Sequence, residues 1–283
     1  MAIFNRLGTK GEEMSFIDHL EELRSHIIRS VLAVFVLAAV LFIYRDWVFD
    51  NIITGPINPD FITYRFLCNF SHTLHLKDAL CMPPVQVSLQ STTFGGQFIS
   101  TISLAFIGGF ILAFPYIFWE FWRFVKPALR QKELNGTRFV IFWVSFFFFL
   151  GASFGFFLLG PFTFNFLAGF QLGTKGMLVT KPTLTDYIDN LTNLILGCGI
   201  AFELPVLAYA LTKIGIVTPM MLKSSRKYAI VIILIVAAFI TPSPDWMSQF
   251  IVFVPLWLLY ELSVVLSAKV YKEDKAKEAE EWD

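Results

Sequence analysis

Charge is what this sequence has least of. Asp, Glu, Lys and Arg make up 16% of its 283 residues. Ordinary chains carry about 25%, and a water-facing surface wants roughly 25–35%. A soluble globular protein is excluded on that ground. The 22 basic and 22 acidic side chains cancel, so the cationic excess of a nucleic-acid binder is missing. Three cysteines are too few for a disulfide-built scaffold. Those cysteines and the four histidines are scattered without metal-ligand spacing, and no metal or cofactor is implied. There is no phosphate-binding Gly-rich loop with Lys, no paired-His zinc motif and no Gly-flanked serine elbow. His19, His26, His72 and His75 all fall outside the long apolar runs. An enzyme is not expected.

What is present is apolar. Hydrophobic residues are 56% of the chain, with 33 Phe among them. A helix crossing the hydrocarbon core needs about 20 mostly apolar residues. Six runs stand out: Ile27–Tyr44, Phe98–Trp122, Phe139–Leu159, Ile188–Leu211, Tyr228–Ile240 and Phe250–Leu266. None alternates with period two, which argues against a membrane β-barrel. The reading is an all-α, polytopic membrane protein: one domain over residues 1–283 with six transmembrane helices. Gly160-Pro161 is expected to stop the third run and Thr241-Pro242 the fifth, Pro115 is expected to break the second, and Pro205 and Pro255 lie inside runs. The last two helices read as short. A run of about 15 residues covers only about 23 Å of the roughly 30 Å core. Either the bilayer thins there or the runs extend further than their apolar letters.

Orientation follows from Lys and Arg in the flanks. With six spans, one side collects Arg6, Lys10, Arg24 and Arg29, the connection from Arg123 to Arg138, the connection from Lys213 to Lys227, and the tail after Lys269. That side holds 17 basic residues against 5 on the other. Both termini are therefore expected in the cytoplasm. Residues 1–26 form a cytoplasmic amphipathic lead, 45–97 a long external loop, and 267–283 a cytoplasmic tail. The first run has no small-residue cleavage site after it and is expected to remain as an anchor.

In the lead, Ser15 suits an N-cap and Asp18 a capping box. Phe16, Leu20, Leu23 and Ile27 form an apolar stripe, with Asp18, Glu21, Glu22 and Arg24 off it. The external loop carries Cys68 and Cys81, which are either a disulfide formed in an oxidising compartment or two free thiols. Gly151-x-x-x-Gly155 is a helix-packing motif.

With few charges overall, acids near the membrane carry information. Glu203 sits deep in the fourth run, where an ionisable group usually faces a cavity or a partner. Pro205 removes a backbone donor and loosens the ladder near Ala201. Glu203 reads as a proton site, as a polar contact for a passing chain, or as a protonated side chain packed between helices. Glu22, Glu120 and Glu133 lie on the basic side. Together they offer carboxylates for guanidinium groups, or they are ordinary surface acids.

Several motifs then line up in order. They are His19-Leu-Glu-Glu-Leu-Arg24; Phe114-Pro115 with Phe121-Trp122-Arg-Phe124-Val-Lys-Pro127-Ala-Leu129 and Glu133; and Gly151-x-x-Phe154 with Phe156-Phe157 and Pro161. Phe202-Glu203-Leu-Pro205 and Thr241-Pro-Ser-Pro-Asp245-x-x-Ser248-Gln249 follow. This series resembles the TatC family, the polytopic component of the twin-arginine protein translocase, over about Met14–Lys272. The resemblance implies a receptor in the bacterial inner membrane. It would bind twin-arginine signal peptides and help export folded proteins with the proton-motive force. Its partners would be TatA- and TatB-type single-span proteins and the surrounding lipid, with a homo-oligomer left open and no nucleic acid. It implies Glu22 and Glu133 as the acids that hold the arginines, with Glu120 and Arg24 beside them and Phe124 and Pro127 shaping the loop. Glu203 would be the polar residue of the membrane face. Pro56, Pro115, Pro205 and Asp245 would be structural. Two features depart from the family: Leu134-Asn135 follow the loop glutamate where basic residues are common, and the first external loop is long. The alternative function is a proton-coupled transporter of small solutes using Glu203, although the internal repeats frequent in transporters are missing.

Overall fold

The computed structural model describes residues 16–73, 81, 87–126, 137–170, 181–241 and 246–280. Ser15, Pro127, Glu133, Pro242 and Asp245 lie outside the described residues. Among the described residues the chain is helical, and its one β-type pairing is an isolated bridge between Gln90 and Thr183.

The lead and the first span are one unbroken helix, α1 (Phe16–Ile43). Its burial is inverted relative to a soluble helix. Leu20, Ile27, Val31, Phe35 and Val40 face outward, while His26 and Ala38 are buried. Lipid tails are as apolar as leucine, so helices associate through small and polar residues and leave the large apolar ones to the bilayer. The expected stripe at Leu20 and Ile27 therefore lies on the outer face of α1, and His26 on the inner one. This helix also corrects the placing of His26, which lies inside a candidate span beginning at Leu20.

The region read as a loop begins with helical turns. A short α2 (Arg45–Val48) runs into a π turn at Phe49–Ile53 and a 3-10 turn at Gly55–Ile57, and α3 (Ile62–Thr73) follows. Cys68 and Cys81 are disulfide-bonded, with Cα atoms 4.4 Å apart. Helix α4 (Gly96–Val125) is continuous through Pro115, where a break was expected.

The third span corrects a predicted stop. Helix α5 (Thr137–Phe154) passes through a π turn, Gly155–Leu159, into α6 (Gly160–Gly169). Pro161 stands in the first turn of α6, where its fixed φ suits helix entry and its missing N–H is least needed. The turn before it still lacks that donor. The Phe157 carbonyl there accepts the hydroxyl of Thr63 from α3 instead. Tyr64 donates to the Pro56 carbonyl at 2.8 Å, and burial pushes its phenol up to about 12, so it stays protonated at any ordinary pH. Thr63→Val keeps the shape and leaves that carbonyl unsatisfied. We expect a loss of about 1–3 kcal/mol, read as a lower melting temperature in detergent, with Thr63→Ser close to wild type.

Helix α7 (Leu184–Ala201) is capped by the Thr183 hydroxyl, which accepts from the Asp186 N–H at 3.1 Å. It breaks at Phe202-Glu203, and α8 (Leu204–Lys213) resumes with Pro205 in its first turn. A short α9 (Pro219–Ser224) leads to α10 (Arg226–Ile240) and α11 (Trp246–Glu280). Among the described residues, five stretches are long and apolar enough to cross a membrane: Leu20–Ile43, Gly96–Val125, Val140–Gly169, Leu184–Lys213 and Trp246–Glu273. The fifth expected run is α10, whose 15 residues span about 22 Å. The last helix is not short. It has 35 residues, because the Lys, Glu and Ala of the tail are strong helix formers that extend it beyond the apolar letters.

Small residues set the spacing of the bundle. A Cβ on Gly109 of α4 would lie 2.8 Å from the Ala38 nitrogen and 2.9 Å from the Val34 oxygen of α1. Phe114 of α4 stacks on Phe148 of α5, their centroids 3.6 Å apart. Gly151 and Gly155 meet the α7 backbone directly, so the packing motif has a definite partner. Ile240, at the end of α10, packs against Gly197 in the middle of α7. Thr212 of α8 hydrogen-bonds Ser267 of α11 at 2.8 Å.

Candidate functional site

The polar cluster lies where the first turns of α1 meet the last turns of α4. On α1, Glu22, His26 and Arg29 are spaced by four and three residues. On α4, Tyr116, Glu120 and Arg123 repeat that spacing. Such intervals place each trio on one helix face, and the two faces meet.

Glu120 is the hub. It is 1% exposed, so its charge has to be met by neighbours. Its Oε2 pairs with His26 Nδ1, and Arg29 Nη1 lies 3.9 Å from the same oxygen. Its Oε1 accepts from the Tyr116 hydroxyl at 2.9 Å and sits 3.8 Å from Arg123 Nη1. The Arg123 guanidinium lies over the Trp119 ring, 5.0 Å from its centroid. Both Glu120 oxygens are thus engaged within the protein.

Glu22 differs. Its side chain is 37% exposed, and its Oε1 lies 4.0 Å from His26 Nε2. Among the described residues no Lys or Arg stands in ion-pair range of it. A carboxylate offers about four lone-pair sites and accepts a guanidinium in a two-pronged fashion, so Glu22 keeps that capacity. Phe124 sits edge-on to His26 at 6.3 Å between centroids. Arg24 is exposed on α1. Glu22, Glu120 and Phe124 are therefore brought around His26. His26, Tyr116, Arg29 and Arg123 were missed by motif reading. Their signal was the repeated three- and four-residue spacing to Glu22 and Glu120.

The other expected residues lie elsewhere. Glu203 occupies the α7–α8 break, its Oε1 buried and without a hydrogen-bond partner among the described residues. Its N–H donates to the Ile200 carbonyl at 3.1 Å. Pro56 is buried in the turn after α2 and touches the Gly160 position of α6. Outside the expected set, Glu261 pairs with Arg226 at 2.7 Å, a half-exposed bridge between α11 and α10. The opposite end of the bundle holds an open cavity of about 1160 Å³, lined by Phe42, Arg45, Gln90, Gln97 and Leu184 among others.

Comparison with known proteins agrees with this picture. The family model of the Sec-independent protein translocase protein (TatC) matches residues 18–255. The Sec-independent protein translocase protein TatC of Blattabacterium (strain BPLAN) is 40% identical over 262 residues, 92% of this chain and 97% of that protein. Its counterpart in Aquifex aeolicus (strain VF5) is 34% identical over 263 residues, 93% of this chain and 98% of that one. A crystal structure described as the twin arginine translocase receptor TatC in DDM superposes with a TM-score of 0.67 at 33% identity, covering 88% of this chain and 99% of that one. With a family model spanning most of its length and relatives aligned nearly end to end, the chain belongs to the TatC family of Sec-independent protein translocase proteins.

Proposed function

We propose that this subunit of the twin-arginine translocase receives the arginine pair of a signal peptide at the α1–α4 cluster, with Glu22 and Glu133 as the accepting acids. As a TatC-family member it is a non-enzymatic, multi-pass protein of the bacterial inner membrane. That membership displaces the solute-transporter alternative. The observation that carries the receptor reading is the contrast between two glutamates one layer apart. Glu120 is saturated by His26, Tyr116 and two arginines. Glu22 holds an exposed carboxylate without a Lys or Arg partner among the described residues. A guanidinium approaching from water meets Glu22 first. Glu120 then acts as a positioning residue, fixing His26 and with it the α1 turn that presents Glu22. Phe124, beside His26, and the exposed Arg24 would complete the peptide-binding surface, with Pro127 shaping the connection after α4.

The topology belongs to this proposal. Six spans with both termini in the cytoplasm require α10 as the fifth crossing. Ile240 ends level with Gly197, thirteen residues in from the start of α7, so the α10–α11 hairpin reaches only partway up its neighbour. Local bilayer thinning would accommodate it and lower the barrier to cargo. Glu203 faces that region as a polar contact, and the proton-motive force with TatA- and TatB-type partners completes the machine.

The test is photo-crosslinking of a twin-arginine signal peptide to membranes that contain the full chain. Glu22→Lys and Glu133→Lys are each expected to cut the crosslink at least about tenfold, because a charge-assisted hydrogen bond contributes roughly 1.5–3 kcal/mol. A wild type that fails to crosslink, or a crosslink untouched by both reversals, overturns the receptor reading.

A further inference from the structure

Far from the α1–α4 cluster, three ligand-type side chains converge. Cys68, His72 and Cys81 place their ligand atoms within 4.8 Å of one another. Reading along the chain misses this group, because Cys81 lies 13 residues from Cys68. Cys68 and His72 are one turn apart on the same face of α3, the i, i+4 arrangement by which a helix offers two ligands to one metal. The His72 Nε2 stands 3.6 Å from the Cys81 Sγ.

That distance is informative. With Zn–S of about 2.3 Å and Zn–N of about 2.0–2.1 Å, the sulfur-to-nitrogen edge of a tetrahedral site is about 3.6 Å, and the sulfur-to-sulfur edge about 3.8 Å. One edge of such a tetrahedron is already at its metal-bound length. The Cys68–Cys81 edge is closed by the disulfide and opens when that bond is reduced, and the Cys68–His72 edge, within 4.8 Å, shortens as the cation is bound.

We infer that Cys68, His72 and Cys81 form a redox-gated site for a thiolate-preferring divalent cation of the Zn²⁺ class, occupied only when the disulfide is open. A dithiol supplies two electrons and two protons to the S–S bond. It closes to its own disulfide and leaves two thiols on the chain. Cation binding displaces those two protons, because the ligands are thiolates. His72 supplies neutral Nε2, and water takes the fourth position of this partly exposed site. The same loop is therefore tied by a covalent bond in oxidising conditions and by a metal in reducing ones. In the reduced state the cation would shield both sulfurs from oxidation and alkylation.

The experiment uses the full chain in detergent. It is reduced with a phosphine, which is itself oxidised to the phosphine oxide, then desalted without oxygen and titrated with Co²⁺. One Co²⁺ per reduced chain is expected, with a thiolate-to-cobalt charge-transfer band that Zn²⁺ abolishes by displacement. The band should be missing from oxidised wild type, which controls for folding because its sequence is unchanged. It should be lost in Cys81→Ser and weakened or lost in His72→Ala. In parallel, Zn²⁺ should slow alkylation of Cys68 and Cys81 in reduced wild type and not in His72→Ala. A reduced wild type without the band overturns the site. So does a band of equal strength in the oxidised chain, or one unchanged in His72→Ala.

Discussion

Glu120→Leu is expected to destabilise the chain by about 3–5 kcal/mol, the usual effect of removing one partner from a buried ionic pair. The loss follows from the neighbours it abandons. His26 keeps a buried Nδ1 without its carboxylate, the Tyr116 hydroxyl loses its acceptor, and Arg29 and Arg123 are left facing one another with no charge between them. Removing both partners is gentler, since matched apolar replacement of a buried pair is often neutral. The double variant His26→Leu/Glu120→Leu should recover much of the stability lost by Glu120→Leu. Glu261→Leu is the control. Its bridge to Arg226 is direct, at 2.7 Å, but half-exposed, and such pairs contribute about 0–1 kcal/mol. Unfolding in detergent, followed by denaturant or heat, separates these outcomes. A Glu120→Leu variant as stable as Glu261→Leu would show that the cluster does not hold α1 to α4.

The second large effect lies at the α5–α7 seam. A Cβ on Gly151 would stand 2.4 Å from the Cys198 carbonyl oxygen, and one on Gly155 2.5 Å from the Leu194 oxygen. Both obstacles are backbone, which cannot rotate aside as a flexible side chain can. Gly151→Ala and Gly155→Ala must therefore push two helices apart, at about 1–3 kcal/mol each, and Gly151→Val more. Gly169, at the end of α6, has nothing within 4 Å of its added Cβ, so Gly169→Ala should be nearly neutral. Melting temperatures of the three alanine variants test this directly. If Gly169→Ala fell as far as the other two, helix contact would not be the cause, because the lower unfolded-chain entropy of alanine acts in the opposite direction.

What could be read in advance divides along physical lines. Apolar runs are local, and they placed α4, α7 and α10 well. Where an element ends is less local. The α5–α6 rod passes Gly160-Pro161 because a π turn and a hydroxyl from Thr63, 94 residues away, look after the Phe157 carbonyl. The last helix outlasts its apolar letters because helix propensity and hydropathy are different properties. At the site, the motif series led to Glu22 and Phe124. The burial of Glu120 depends on His26 from another helix, 94 residues distant, and no window along the chain contains both. The Cys68–Cys81 pair was legible as a possible disulfide, and only the closeness of His72 to Cys81 needed the structure.

Helix α1 has one further consequence. Its 28 residues contain neither proline nor glycine, so it has no built-in joint. It leans chiefly on α4, through a seam of small residues at Ala38 and Gly109. Such a rod behaves as a lever with a fulcrum. From the seam at Ala38 the Glu22 arm is about 24 Å long and the Phe42 arm about 6 Å, so a tilt of about 5° moves Glu22 by about 2 Å and Phe42 by about 0.5 Å. Phe42 lines the cavity at the far end of the bundle. An arrival at Glu22 that tips α1 would thus be transmitted mechanically to that cavity, with no side-chain relay in between.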